Sequence, residues 1–317
     1  MKILLASPID PAAVERLARA HDVRGRDDTD LRTAVADREV VVLRSGIQLT
    51  GDAIAAAQDL RLVLRAGSGV DNIDVAEARR CGVRVIRVPG MSAPPVAEFT
   101  FALLLSLARK VTLADRLIRE GHWPKPALGG PLLRGKALGV VGAGNIGGEV
   151  GEMAAAWGME VLGCVAHPSA ALSGRLAGRG IRLCGFDELV ALSDFVTLHV
   201  PLDDSTYHMV DADVLERMRP GSLLVNMARG GVVDEKALYE ALVDRSTVAG
   251  AALDVHEAEG EGVLPPLGEL PNVVLTPHIG AMALDSQRLI GERVVDLVAA
   301  FEQGNLDEEV RDDEQVV

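Results

Sequence analysis

A glycine-rich turn between an apolar run and a helical pattern constrains the fold of this chain most. The run Ala137 to Val141 leads into Gly142-x-Gly144-x-x-Gly147, and apolar residues then recur at helical spacing as far as Trp157. In such a strand–turn–helix unit the first glycine permits the turn, the second lets the backbone approach a pyrophosphate, and the third allows close helix–strand packing. The helix amino terminus attracts phosphates. The pattern predicts a dinucleotide site; a glycine turn in another α/β unit is the alternative.

Length, charge and cysteine content limit the class of protein. The chain has 317 residues, enough for two domains, and its net charge of -14 disfavours binding to nucleic acid or to an anionic membrane. The amino-terminal apolar run is too short for a secretion signal, and we expect neither a membrane span nor a location outside the cytoplasm. Cys81, Cys164 and Cys184 lack metal-ligand spacing and are predicted to be buried, reduced thiols, with no metal site.

Short strands and helices alternate along residues 1–93. The predicted strands are Lys2–Ala6, Glu39–Leu43, Leu62–Leu64 and Val83–Val88, and the predicted helices are Pro11–Ala20, Leu49–Gln58 and Val75–Arg80. This alternation predicts a parallel sheet whose ligand-binding loops follow the carboxyl ends of the strands. Arg44, Arg65 and Arg87 lie at such ends, as does the glycine loop 67–69. Each arginine could equally be a solvated loop charge.

A long apolar helix separates this region from a second α/β unit. Residues 95–110 are apolar on every face of a helix, which predicts burial between domains or subunits. Residues 121–134 contain three prolines and predict an extended arm. After Gly135 the predicted strands are Ala137–Val141, Glu160–Cys164, Phe195–Val200, Ser222–Val225, Val248–Leu253 and Asn272–Thr276. The predicted helices are Phe186–Ala191, Val214–Met218, Glu235–Leu242 and Leu284–Phe301, the last followed by a short acidic tail. The predicted class is α/β, with two Rossmann-like or flavodoxin-like parallel sheets.

Three strand-end loops of the second unit bring unlike polar side chains to one edge of the predicted sheet. They contain Arg229, the carboxylates Glu257 and Glu259, and His278. Hydride transfer to or from an alcohol carbon needs a group that exchanges a proton, and histidine does so near neutral pH. A carboxylate can orient the histidine, and a guanidinium can bind a substrate carboxylate. Isolated charged loop residues are more often solvated, and spacing alone leaves both interpretations open.

Six motifs, in collinear order, resemble those of the D-isomer-specific 2-hydroxyacid dehydrogenases. They occupy residues 65–74, 135–147, 199–202, 226–234, 251–255 and 276–280, so the resemblance covers nearly the whole chain. It is strongest to the D-3-phosphoglycerate dehydrogenases, in a short form without their regulatory serine-binding domain. The resemblance implies a D-2-hydroxyacid dehydrogenase that uses NAD, with NADP as an alternative. A small 2-hydroxy or 2-oxo acid is the implied substrate, and 3-phosphoglycerate is one candidate.

The resemblance also implies roles for individual residues. The catalytic set is Arg229, Glu259 and His278. The implied substrate-binding residues are Arg44, Arg65, Gly69, Val70 and Arg229. The implied cofactor-binding residues are Gly142, Gly144, Asn145, Ile146, Gly147, Val165, His199, Pro201 and Asp254, the last at the nicotinamide carboxamide.

The family fold further implies a discontinuous organisation. A substrate-binding domain of residues 1–93 and 284–317 would flank an NAD-binding domain of residues 94–283, and helix 95–110 with arm 121–134 would form a homodimer contact. Three positions depart from the family pattern. Val165 replaces the usual cofactor-binding aspartate, Gly260 replaces a proline, and loop 90–95 lacks the asparagines of phosphoglycerate enzymes. A dinucleotide-sensing interaction protein, like the corepressors that share this fold, is the alternative function.

Overall fold

Two compact units make up the chain. The computed structural model describes residues 1–27, 30–244 and 247–317. One unit comprises residues 1–92 together with 281–317, and the other comprises residues 93–280. The boundaries lie one and three residues before the positions expected from the sequence. The first unit is therefore discontinuous, and the second is a single stretch of chain.

The first unit contains a five-stranded parallel sheet in the order β2-β1-β3-β4-β5. Its strands are β1 (Lys2–Leu5), β2 (Asp22–Gly25), β3 (Val40–Leu43), β4 (Leu62–Arg65) and β5 (Arg84–Arg87). Helices α1 (Pro11–Ala18), α2 (Leu31–Val35), α3 (Gly51–Ala56) and α4 (Val75–Arg80) connect them. Every residue of β3 and β4 is buried, as expected for parallel strands covered on both faces. The polar edge strand β2 was not predicted.

The second unit contains a seven-stranded parallel sheet in the order β12-β11-β10-β9-β6-β7-β8. Its strands are β6 (Ala137–Val141), β7 (Glu160–Cys164), β8 (Ile181–Leu183), β9 (Phe195–Leu198), β10 (Ser222–Asn226), β11 (Val248–Leu253) and β12 (Val273–Leu275). Its helices are α5 (Ala93–Ala108), α6 (Val111–Arg119), α7 (Asn145–Ala156), α8 (Ala170–Ala177), α9 (Phe186–Leu192), α10 (Ala212–Arg217) and α11 (Glu235–Asp244). The predicted α/β class with two parallel sheets is confirmed.

The apolar helix α5 packs inside its own unit. It contacts α7 and strands β10 to β12, which explains why apolar residues occupy most of its faces. The chain leaves the helix at Lys110, which has a left-handed φ of 54°, and α6 follows. Among the described residues, Gly90–Ala108 alone is long and apolar enough to cross a membrane, contrary to the expectation that no stretch would be. Of this segment, 61% is buried, as in the core helix of a globular protein.

The carboxyl-terminal residues complete the first unit and are not the solvated acidic tail that their composition suggests. Helix α12 (Leu284–Gln303) packs against α1, and α13 (Leu306–Glu309) follows. The last residues then pair with β5: the Val85 N–H donates to the Val317 carbonyl at 2.9 Å, and Gln315 forms an antiparallel bridge with Ile86. The end of the chain therefore covers an otherwise open sheet edge.

The three cysteines are free thiols with different environments. Cys164 is buried as predicted, whereas Cys184 is half-buried and Cys81 is exposed. The expectation of three buried thiols is therefore wrong for Cys81 and only partly right for Cys184. Cys81 lies at the end of α4, where its side chain contacts the half-buried Glu77 and the exposed Arg80.

Candidate functional site

The glycine turn after β6 has the geometry of a phosphate-binding turn. Gly142 has a φ of 88°, and a Cβ there would lie 2.7 Å from the carbonyl oxygen of His199. A Cβ on Gly147 would collide with the Gly142 carbonyl, whereas a Cβ on Gly144 would have no neighbour within 4 Å. Helix α7 begins directly after Gly144, with Asn145 and Ile146 as its first two residues. The open backbone at the helix amino terminus fits a pyrophosphate.

A cleft of about 500 Å³ adjoins this turn at the carboxyl ends of β6 to β8. Its lining is mostly apolar and carries no charged side chain; it includes Val165, Pro168, Phe186, Val200 and Met209. An uncharged cleft beside a phosphate-binding turn fits the adenosine portion of a dinucleotide. The residues present therefore fit NAD, although Val165 provides no carboxylate for the ribose.

His199 and Pro201 lie in the loop that follows β9, next to the glycine turn. The His199 N–H donates to the Val141 carbonyl at 2.8 Å, and its Nε2 lies 3.0 Å from Oγ1 of Thr197. Burial lowers the pKa of His199 to about 3, so the ring is neutral. The Pro201 carbonyl accepts a hydrogen bond from Thr206 at 2.7 Å, which closes the loop beside the cleft. Both residues thus lie beside the expected cofactor position.

The loops with Arg229, Glu259 and His278 follow three neighbouring strands. Strands β10, β11 and β12 are adjacent and parallel, so their carboxyl ends lie at one sheet edge. Nδ1 of His278 lies 3.0 and 3.2 Å from the two carboxylate oxygens of Glu259. Burial alone would raise the pKa of Glu259, but the hydrogen bond and charge of His278 outweigh it and lower the pKa. Glu259 is therefore an ionised partner at Nδ1, which leaves Nε2 as the other ring nitrogen.

Asp254 fastens the loop that contains His278. Its two carboxylate oxygens accept hydrogen bonds from the N–H groups of Ile279 and Gly280 and from the hydroxyl of Thr276, at 2.6–2.9 Å. Its backbone carbonyl accepts the N–H of His278 at 2.7 Å. His278 has a φ of 54°, an uncommon conformation for a residue other than glycine. The structure therefore gives buried Asp254 a positioning function that the sequence did not indicate, beside the role expected at the nicotinamide.

Asn226 performs a similar function for the loop that contains Arg229. Its side chain is fully buried; Oδ1 accepts the Ala228 N–H at 3.0 Å and Nδ2 donates to the Arg229 carbonyl at 2.9 Å. The next residue, Gly230, lies so close to the following loop that a Cβ would collide with the His256 carbonyl. The amide that ends an apolar strand was the available sequence signal, and it was missed.

The expected substrate-binding residues of the first unit lie at the carboxyl edge of its sheet. Arg44 follows β3, Arg65 ends β4, and Gly69 and Val70 lie in the next loop. Nη2 of Arg44 lies 3.2 Å from the sulfur of Met282, and burial lowers the pKa of this arginine. Arg65 is buried, and its Nη1 donates to the Ala66 carbonyl at 3.1 Å.

The guanidinium of Arg87 lies against two backbone carbonyls. Its Nε donates to the Asp313 carbonyl at 2.9 Å, and its Nη1 lies 3.4 Å from the Ser68 carbonyl. The guanidinium thus links the carboxyl-terminal segment to the loop after β4. The sequence interpretation of Arg87 as a ligand-binding cation stays a prediction.

A second histidine–carboxylate group lies near the catalytic loops. Nε2 of His208 lies 2.9 Å from Glu257, and Nδ1 lies 3.8 Å from Asp234. Within the described ranges these three are the one group whose spacing could suit a metal ion, and no cysteine belongs to it. Glu257 therefore pairs with His208 and Glu259 pairs with His278, which separates the two candidate carboxylates.

Comparison with known proteins identifies the family. Residues 101–280 match the family model of the D-isomer specific 2-hydroxyacid dehydrogenase NAD-binding domain. A hydroxypyruvate reductase from Thermotoga maritima is 38% identical over 94% of this chain and 97% of its own length. A D-3-phosphoglycerate dehydrogenase from Archaeoglobus fulgidus is also 38% identical, but the chain spans 58% of its length. The structure of Aquifex aeolicus D-lactate dehydrogenase with NAD and lactic acid has a TM-score of 0.87 and 29% identity, covering 100% of this chain and 99% of that one.

The chain therefore belongs to the D-isomer-specific 2-hydroxyacid dehydrogenase family. It is an oxidoreductase that uses NAD and acts on a 2-hydroxy or 2-oxo acid, which confirms the class, cofactor and kind of substrate predicted from the sequence. These relatives give no support to the alternative of a dinucleotide-sensing interaction protein.

Proposed function

We propose that this enzyme reduces a small 2-oxo acid of the hydroxypyruvate class to the D-2-hydroxy acid, with Arg229, Glu259 and His278 as its catalytic residues. The bond between Glu259 and Nδ1 of His278, at the sheet edge where the Arg229 loop also lies, carries this proposal. The Thermotoga maritima relative named hydroxypyruvate reductase supports the substrate class, since the two chains match over nearly their full lengths. Reduction with NADH of hydroxypyruvate, 3-phosphohydroxypyruvate and glyoxylate, compared as kcat/KM, tests it.

The residues divide the chemistry among them. Bound NADH supplies the hydride. His278 donates a proton from Nε2 to the carbonyl oxygen, and Glu259 holds Nδ1 and stabilises the imidazolium. Arg229 binds the substrate carboxylate and stabilises negative charge on the carbonyl oxygen. In the first unit, the backbone amides of Gly69 and Val70 are the proposed substrate-binding groups.

The cations of the first unit argue against a phosphorylated substrate. Arg87 donates to two backbone carbonyls, and Arg65 is buried with a bond to the Ala66 carbonyl. Arg44 remains as a half-buried cation beside Met282. A phosphate monoester carries nearly two negative charges at pH 7 and is best bound by several cations. We therefore place hydroxypyruvate ahead of its phosphorylated analogue.

Arg44→Ala should lower kcat/KM for 3-phosphohydroxypyruvate and for glyoxylate by the same factor. The reason is that both acids share the 2-oxo carboxylate, which is the group that we propose Arg44 binds. A phosphate contact would instead be worth about 1.5–3 kcal/mol, which is at least about tenfold for the phosphorylated acid alone. Steady-state kinetics on both acids separates the two results. A fall in kcat/KM for 3-phosphohydroxypyruvate but not for glyoxylate would contradict the proposed substrate class.

The uncharged cleft predicts weak discrimination between NADH and NADPH. Val165 lines the cleft at the position where the family pattern has a carboxylate. A carboxylate there would accept a hydrogen bond from the ribose 2′-hydroxyl of NADH and repel the 2′-phosphate of NADPH. Val165→Asp should therefore raise the NADH/NADPH ratio of kcat/KM at least about tenfold. The matched control is Val165→Asn, because asparagine has the size of aspartate but no charge. This variant should raise the NADH/NADPH ratio less than Val165→Asp does. Complete exclusion of NADPH by the wild type would show that another residue discriminates.

We propose a homodimer formed through α5, α6 and residues 121–134. Support comes from large apolar side chains of this region that are exposed in one chain, including Trp123 at 80% and Leu132 at 67%. Burial of such a patch favours association. Sedimentation equilibrium should show a dimer, and Trp123→Asp should weaken the association. A wild-type monomer at micromolar concentration would contradict the proposal.

The cytoplasmic location of the protein stays a prediction.

A further inference from the structure

Two cysteines lie at the carboxyl ends of neighbouring strands of the second sheet: Cys164 ends β7, and Cys184 directly follows β8. Strands β7 and β8 run parallel in a register that pairs Val161 with Ile181 and Gly163 with Leu183. Continued by one residue past the end of β8, this register pairs Cys164 with Cys184, and the Cys184 N–H donates to the Gly163 carbonyl at 2.9 Å, in keeping with that continuation. Paired residues of parallel strands point to the same face and lie about 4.8 Å apart. This spacing falls within the Cα separation of about 4.4–6.8 Å that a disulfide requires.

Both thiols also line the uncharged cleft beside the glycine turn. Cys164 is buried and Cys184 is half-buried, so a small molecule that enters the cleft meets Cys184 first. Burial raises the pKa of both thiols, so they are protonated in the neutral range and do not repel each other. Neither thiol has a part in the proposed catalytic mechanism.

We propose that Cys164 and Cys184 form an oxidisable dithiol site that takes small-molecule disulfides and is covered when the cofactor is bound. The small fraction of Cys184 that has lost its proton to solvent attacks the disulfide bond of the small molecule, which forms a mixed disulfide and releases one small thiolate that takes up a proton. The Cys164 sulfur then attacks the Cys184 sulfur and releases the second small thiol. Two protein thiols are thus oxidised to one disulfide while one small disulfide is reduced to two thiols. The claim that bound cofactor covers the dithiol rests on the proposed role of the cleft in cofactor binding. The claim that the two thiols form a disulfide does not depend on that role.

Titration with 2,2′-dithiodipyridine tests the dithiol. The background variant Cys81→Ser removes the exposed thiol of the first unit. We expect release of two thiopyridones per chain and a Cys164–Cys184 cross-linked peptide with no added pyridyl group. The matched variants Cys164→Ser and Cys184→Ser should each keep a pyridyl group on the remaining cysteine. A stable pyridyl adduct on Cys184 beside a free Cys164 thiol, or no reaction at either thiol, would overturn the proposal.

A second arm tests the covering by cofactor. With NADH at about a hundred times its Kd, only about 1% of the chains have an open cleft, so closure of the disulfide should slow about a hundredfold. If the rate of disulfide formation were the same with and without saturating NADH, the proposal that bound cofactor covers the dithiol would be overturned. Turnover of hydroxypyruvate by the reduced enzyme is measured on the same preparation. Failure of that turnover would contradict the proposed function and leave the cross-link result standing on its own.

Discussion

His278→Gln should lower the rate of 2-oxo acid reduction by about 10²–10⁴, which is the usual contribution of a positioned acid. Glutamine can still hydrogen-bond to Glu259, but it cannot supply a proton to the carbonyl oxygen. NADH affinity should stay near the wild-type value, because the glycine turn and the cleft are unchanged. Steady-state kinetics on hydroxypyruvate gives the rate, and a fluorescence titration with NADH gives the affinity.

His208→Gln is the matched control for this variant. His208 also pairs with a carboxylate in the second unit, but its partner is Glu257 and it belongs to another loop. Because that pair is partly exposed, we expect a change in turnover of less than about threefold. Retention of more than about a third of wild-type turnover by His278→Gln would remove His278 from the mechanism.

Glu314→Ala should lower the free energy of unfolding by up to about 3–5 kcal/mol, the usual cost of breaking a buried ion pair, because the buried guanidinium of Arg293 keeps only its contacts with Glu309. Nε and Nη2 of Arg293 lie 2.9 and 2.6 Å from the two carboxylate oxygens of Glu314, and the residues are 5% and 2% exposed. Urea denaturation measures the loss. The control Glu292→Ala removes a half-exposed partner of Arg288 and should cost no more than about 0.5 kcal/mol.

The contribution of Glu314 to stability should also depend on pH. Burial alone would raise its pKa, but the hydrogen bond and charge of Arg293 outweigh burial and lower the pKa below the ordinary 4.5. A lowered folded-state pKa means that the stabilisation is present above pH 4.5 and is lost as the pH falls through the folded value. The stability gap between wild type and Glu314→Gln should therefore shrink in acid. A gap that stays constant from neutral to strongly acidic pH would contradict this account.

The sequence predicted the longer apolar strands and helices and missed the edge strands β2 and β8 and several helices, among them α6 and α8. Strands β3 and β4 are continuous apolar runs because both faces of the sheet are covered. Strand β2 lies at a sheet edge with mostly exposed side chains, so no apolar pattern marks it. The carboxyl-terminal segment has acidic residues, yet its last residues pair with β5 through main-chain hydrogen bonds. Composition gives no information about such pairing.

The candidate site was predictable in its location and less so in its partners. Parallel strand order brings the Arg229, Glu259 and His278 loops to one edge, and the strand pattern is enough to infer it. Residue spacing alone leaves both Glu257 and Glu259 as candidates for the carboxylate that contacts His278. The family resemblance implies Glu259, and in the structure Glu259 lies 3.0 Å from Nδ1 of His278. The positioning by buried Asp254 depends on which N–H groups the loop presents to it.

The most direct test of the proposed function follows NADH oxidation with hydroxypyruvate and determines the configuration of the glycerate formed. The account predicts NADH-dependent formation of the D-isomer by the wild-type enzyme and a loss of at least about a hundredfold in His278→Gln. Formation of the L-isomer, or no NADH oxidation with hydroxypyruvate, 3-phosphohydroxypyruvate or glyoxylate, would contradict it.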